Sequence, residues 1–271
     1  MPSQNQVVYE VVELDRPDVP GGPEGPGKST ASSVPSVPYA RITLDAPERR
    51  NALSAALLDQ LLAALDRAAT DDVHAVVLGA SGTAFCSGAD LTEALRDGMA
   101  DSARRLAAVL RAILALPKPV VARVHGPVRA GGIGLVAACD IAISADHITY
   151  AFTEARLALA PAVISLAVLP RMTPRAASRT FLTGAPFSAG EAAAWGLVTQ
   201  AVPPGDLDRA VDTALTELAA GDPQGLRATK ELLNADVLAR FDTRVDDAVT
   251  GSAELFGSER ARAAMERLLR R

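Results

Sequence analysis

The chain has 271 residues, a formal charge of −5 and a composition that is nearly half apolar, with few aromatics and abundant alanine. That length suffices for one large domain or two small ones around a sizeable core. The acidic balance and the lack of a polybasic run argue against nucleic acid as a partner, so a phosphate-bearing ligand would need a few local cations. Cys86 and Cys139 both sit in apolar patterns, which predicts buried free thiols in a reducing compartment. No basic-then-apolar leader and no apolar run of membrane-spanning length is seen, and the expectation is a cytoplasmic protein with no membrane partner.

In chain order, residues 7–14 and 40–44 read as β-branched strands. Between them, residues 15–38 are rich in Pro, Gly and Ser, a composition that predicts a disordered insertion in a hairpin. A helical pattern runs over 54–70 with Ser54 as N-cap, and the apolar run 74–79 predicts a buried parallel strand. A helix over 102–115, a strand over 120–124, a helix over 132–140 and a strand over 141–144 follow. This alternation predicts an α/β core with crossover connections. From residue 166 the chain reads as mostly helical, with helices at 189–195, 206–220 and 223–239, an extended piece at 196–199, and a charged helix from 244. The expected division is an α/β core over 1–195 and a helical region over 196–271.

Two glycine-rich strand-to-helix turns stand out. The first is Ala84-Phe85-Cys86-Ser87-Gly88-Ala89-Asp90, in which Gly88 permits a tight or positive-φ turn and small Ala89 leaves its N–H approachable. The second runs His125-Gly126-Pro127-Val128-Arg129-Ala130-Gly131-Gly132-Ile133-Gly134 and opens a helix, whose free N–H groups suit an oxyanion. Its glycine spacing is not the dinucleotide fingerprint, and no P-loop lysine follows. Two such turns can aim N–H groups at one carbonyl oxygen while Glu154, further on, moves a proton on the adjacent carbon. His74, His125 and His147 lack metal-ligand spacing, so no metal site is predicted, and Ser87 lacks a His-Asp relay.

These two turns, the Cys139-Asp140 pair and the stretch from Ala189 to Val198 resemble the crotonase superfamily, the enoyl-CoA hydratase/isomerase family, over nearly the whole chain apart from the insertion. The resemblance implies a crotonase-like spiral of ββα units with a helical C-terminal region that serves trimer assembly, giving a homotrimer or a hexamer. It implies an acyl-CoA thioester substrate, with coenzyme A as part of the substrate and no other tightly bound cofactor. It places oxyanion donors at the N–H groups of Ala89 and Gly131 and substrate contacts at Ser87, Gly88, Gly132 and Gly134. Lys230 reads either as an exposed lysine or as a contact to the phosphates of coenzyme A.

Hydratases of this family resemble one another in using two glutamates. The first aligns with Gly134 and the second with Glu154, whose other readings are a surface ion pair with Arg156 or a helix cap. Hydration must both activate water and deliver a proton, work that two carboxylates divide; shifting a double bond needs one base. The kept Glu154, the missing acid and the later Ala160-Pro161 tilt the reading toward double-bond isomerisation. Hydration with a substitute acid or water, another acyl-CoA reaction and a non-catalytic acyl-CoA-binding protein stay open as alternatives. Arg129 and Ser165 are candidates to replace the acid, and Glu93 and Asp97 to border the acyl pocket.

Overall fold

A computed structural model describes residues 5–14 and 37–270; residues 15–36 of the expected insertion lie outside the described residues, and Val37 and Pro38 already belong to a strand. Strands β1 (Val7–Leu14) and β2 (Val37–Leu44) pair antiparallel along their whole length, from Val7 opposite Leu44 to Leu14 opposite Val37. The chain then crosses through α1 (Ala55–Thr70) to β3 (Ala75–Ala80), which joins β2 in parallel. Ser54 caps α1 by accepting from the Leu57 N–H, as the sequence predicts. Glu93 completes the cap, its two carboxylate oxygens accepting from the Ala55 N–H at 3.2 and 3.1 Å. Its expected place at the acyl pocket is thereby replaced by a structural one, because a helix start offers donors that a carboxylate satisfies.

After α2 (Leu91–Asp97), capped by Asp90, and α3 (Ala100–Ala115), strand β4 (Val120–Val124) adds to β3. A two-residue β5 (Val128–Arg129) leads into α4 (Gly131–Ala138), and β6 (Ile141–Ala145) returns to the sheet beside β4. All eight residues of α4 are buried, so it is a core helix without a solvent face. Strand β7 (Thr149–Ala151), α5 (Ala162–Val168), α6 (Pro174–Thr183), β8 (Phe187–Ser188), α7 (Ala189–Ala194) and β9 (Gln200–Val202) follow. The described strands form one six-stranded sheet in the order β1-β2-β3-β4-β6-β9, parallel except for the first pair, and a small sheet β5-β7-β8. The small sheet is built from runs of two or three residues, too short to leave a period in the sequence.

Beyond residue 195, two boundaries differ most from the sequence reading. The extended piece shifts from 196–199 to β9, although Thr199 already bonds the sheet edge through its N–H to the Ala142 carbonyl at 2.8 Å. After α8 (Leu207–Ala219), the two expected helices from 223 are one 35-residue helix, α9 (Pro223–Gly257). No Gly or Pro interrupts residues 239–244, and Val237, Phe241 and Val249 are buried in the main core along its length. The break falls at Ser258, whose side chain accepts from the Ala261 N–H to start α10 (Glu259–Leu269).

Lys230 is neither exposed nor turned to a ligand. It is 5% exposed, pairs with Asp140 at 2.7 Å and donates to the carbonyls of Ile113 and Lys118, both at 2.9 Å. Asp140 also accepts from the Val120 N–H at 2.8 Å, and Asn234 donates to the Leu114 carbonyl at 3.0 Å. Burial pushes the Lys230 ammonium below its ordinary pKa, opposed by the Asp140 charge. This network fastens α9 to the end of α3, the start of β4 and the C-terminus of α4, so the second glycine turn, at the other end of α4, is held from behind. Removing the cation leaves a largely buried carboxylate unpaired, so Lys230→Ala should cost about 3–5 kcal/mol of unfolding free energy, read from urea denaturation.

Candidate active site

The two glycine turns meet. Cys86 and Val128 form an isolated parallel bridge, and the Arg129 N–H donates to the Cys86 carbonyl at 2.9 Å. Gly88 has φ of +95°, and a Cβ there would stand 3.0 Å from the Ala130 Cβ and 3.4 Å from the Arg129 carbonyl oxygen. A Cβ on Gly132 would stand 2.6 Å from that of Cys86. Both glycines therefore act by letting the segments touch.

That contact leaves two backbone donors free. Ala89 bridges Leu53 in parallel: the Leu53 N–H donates to the Gly88 carbonyl at 2.8 Å, and the Asp90 N–H to the Leu53 carbonyl at 3.5 Å. In such a bridge the N–H of the central residue points away, so Ala89 presents its own outward. Gly131 is the first residue of α4 and has no carbonyl one turn earlier to donate to. Its predecessor Ala130 has φ of 47°, a region an L-residue seldom occupies, and its own N–H is held by the Ala151 carbonyl at 3.1 Å. Among the described residues neither the Ala89 nor the Gly131 N–H has a partner.

Ala89, Gly131, Ser87 and Glu154 line one pocket, otherwise walled mainly by apolar side chains including Leu53, Leu106, Leu159 and Ile164. Glu154 opens the short 3-10 turn Glu154–Leu157 that follows β7. It is 9% exposed, and its buried Oε2 has no hydrogen-bond partner. Burial pushes its carboxyl up to about 7, partly opposed by its own backbone N–H. Arg156 does not pair with it and instead donates to the Thr183 carbonyl at 3.0 Å. Glu154 is thus the ionisable side chain in the pocket lining, poised to hold or release a proton near neutral pH.

Gly88, Gly132 and Gly134 do not line this pocket. A Cβ on Gly134 would lie 2.7 Å from the Ile164 Cγ2 and 3.1 Å from its Cβ, so Ile164 packs directly onto the bare backbone there. Ser165 donates to the Ala162 carbonyl at 2.6 Å within α5, and it too is outside the lining. The Asp97 side chain lies outside the described residues. Arg129 is half-buried and donates to the carbonyls of Val128 and Thr149 and to the Thr149 hydroxyl.

Arg129 faces a second, more open pocket together with Arg50, Arg156 and Arg267. This basic pocket shares Ser87, Thr153, Leu157 and Leu268 with the first, so the two are continuous. These arginines are widely spaced in sequence and belong to four different segments, and no local motif marks them as a group. Among the described residues no three His, Cys, Asp or Glu side chains are placed to hold a metal ion. No described helix is long and apolar enough to cross a membrane.

The sequence profile of the enoyl-CoA hydratase/isomerase family matches residues 37–267. The chain belongs to that family, within the crotonase superfamily. A Thermus thermophilus relative, named provisionally as an enoyl-CoA hydratase, is 38% identical over 203 residues, spanning 72% of this chain and 80% of the relative. Enoyl-CoA delta isomerase 2 of Rattus norvegicus is 32% identical over 200 residues, spanning 71% of this chain and 51% of that protein. The crystal structure of an enoyl-CoA hydratase from Mycobacterium avium superposes with a TM-score of 0.80 at 46% identity, covering 86% of this chain and 91% of that one. The fold is thus the crotonase-like α/β fold with its helical C-terminal region, and membership makes the protein an enzyme of the hydratase/isomerase family with an acyl-CoA substrate.

The raised Glu154 pKa carries a stability consequence. The folded state favours the protonated acid, so ionisation destabilises the fold progressively from about pH 4.5 until it levels off above pH 7. Glu154→Gln should accordingly raise the unfolding free energy at pH 8, by about 1–3 kcal/mol, and change it little at pH 4. Chemical denaturation at the two pH values checks the sign.

Proposed function

We propose that the enzyme shifts the double bond of an enoyl-CoA thioester between the 3,4 and 2,3 positions, with Glu154 as the single acid/base. The thioester oxygen accepts hydrogen bonds from the Ala89 and Gly131 N–H groups. The Glu154 carboxylate removes a proton from C2 of the 3-enoyl thioester, and the electron pair moves into the carbonyl to give a dienolate. The two N–H groups stabilise the developing oxyanion, an interaction for which one donor is typically worth about 3–4 kcal/mol. Protonated Glu154 then returns the proton at C4 as the 2,3 double bond forms. An acid with a pKa of about 7 suits both directions of transfer. The arginine pocket supports the placement of the anionic part of coenzyme A beside the acyl pocket.

The observation that carries this reading is Ile164 against Gly134. At the position that would bear a second carboxylate, a β-branched side chain stands 2.7 Å from where a Cβ would be, so a longer acidic side chain there would clash. The same family resemblance supports assembly into a trimer or a hexamer, and the exposed Leu182, Leu232 and Leu233 suit an interface between copies; light scattering should return three or six times the 28.1 kDa chain mass.

With purified protein, 3-enoyl-CoA should be isomerised with a higher kcat/KM than 2-enoyl-CoA is hydrated. Glu154→Gln should lower isomerisation kcat by about 100- to 10,000-fold. The rate should rise about tenfold per pH unit below pH 7 and flatten above it, because the carboxylate is the form that acts. Hydration that survives Glu154→Gln would refute the assignment. Gly134→Glu alone should destabilise the protein without conferring hydration, and pairing it with Ile164→Ala should recover part of the lost stability, read as Tm.

A further inference from the structure

Two serine hydroxyls in the acyl pocket have no structural task. Ser102, near the start of α3, and Ser252, near the end of α9, both line the pocket otherwise walled there by Met99, Ala103, Leu106 and Phe256. Ser252 is 93% buried, at 7% exposure, and among the described residues neither hydroxyl has a hydrogen-bond partner. Several other helical hydroxyls in this chain do have a partner. Ser178, Thr180, Thr213, Thr216 and Thr243 each donate to the carbonyl four residues earlier. A pocket hydroxyl left without such a bond is available to a polar group of a ligand.

The two serines stand on helices that pack against each other. Asn234 bonds the Leu114 carbonyl and Asp242 pairs with Arg111, so α3 and α9 run antiparallel. Ser102, nine residues before Arg111, and Ser252, ten residues after Asp242, thus lie toward the same end of the helix pair. The pocket lining therefore carries hydroxyls from two separate helices in a mainly apolar wall.

We propose that Ser102 and Ser252 form a specificity-determining subsite for a neutral oxygen substituent, a hydroxyl or an oxo group, on the acyl chain of the substrate. The inference rests on the acyl-CoA reading above. A serine hydroxyl both donates and accepts, so it serves either substituent. An acyl chain ending in a carboxylate is disfavoured, because no cation lines this pocket and its charged member is Glu154.

Titration calorimetry with saturated four-, six- and eight-carbon acyl-CoAs, each against its terminally hydroxylated counterpart, tests the subsite. At least one hydroxylated ligand should bind about tenfold more tightly than its plain partner. That ratio should fall to near one in Ser252→Ala and shrink in Ser102→Ala, whose site is on a different helix. Equal affinities within every pair, or a ratio that survives both substitutions, would overturn the subsite while leaving the thioester reading intact. Failure of every acyl-CoA, plain or hydroxylated, to bind would overturn the thioester reading and the subsite with it.

Discussion

The proposed catalytic arrangement depends on the contact between two strand-to-helix turns. The bridge between Cys86 and Val128 and the close approach of Gly88 to Ala130 hold the turns in one register. Within that register the Leu53–Ala89 bridge sends one N–H outward, and the start of α4 leaves another without a partner. Any side chain at Gly88 or Gly132 would force the segments apart, since Ala130 and Cys86 already occupy the space. The Lys230–Asp140 pair and the Asn234 contacts secure α4 and α3 from the C-terminal side, so the long helix α9 belongs to the same mechanical unit as the sheet.

Charge is distributed sharply around that contact. One carboxylate, Glu154, stands in an apolar pocket with an unpartnered oxygen and a pKa near neutrality. Four arginines stand in the adjoining pocket, where an anionic group remote from the reacting carbons would lie. The separation keeps cations off Glu154, which an adjacent guanidinium would hold as a weak base by pulling its pKa down. Ile164 closes the side opposite to a second acid. Under the proposed reaction, proton transfer falls to this single group.

The α/β alternation and most helix starts are legible in the sequence, because apolar period and capping residues such as Ser54 and Asp90 act locally. The paired turns and Glu154 are legible through their spacing. Other features depend on contacts between distant segments and leave no local mark. Nothing around Lys230 reveals that Asp140 will neutralise it in the core, and nothing around Glu93 reveals that it will cap α1 across 38 positions. The arginine pocket and the Ile164–Gly134 contact are of the same kind. The uninterrupted α9 is a case of packing overriding composition: Phe241, buried in the main core, carries the helix through the stretch where a boundary was expected.

The central claim is that one carboxylate and two N–H groups act on a thioester with no second acid or activated water opposite. The crystal structure of the enzyme with a bound acyl-CoA measures this directly. The account predicts the thioester oxygen within about 2.7–3.2 Å of both the Ala89 and Gly131 nitrogens. It also predicts Glu154 in reach of C2 and C4, with Ile164 packed against the acyl chain on the far side. A thioester oxygen bound away from those two N–H groups, or an ordered water held opposite Glu154 beside Gly134, would contradict it.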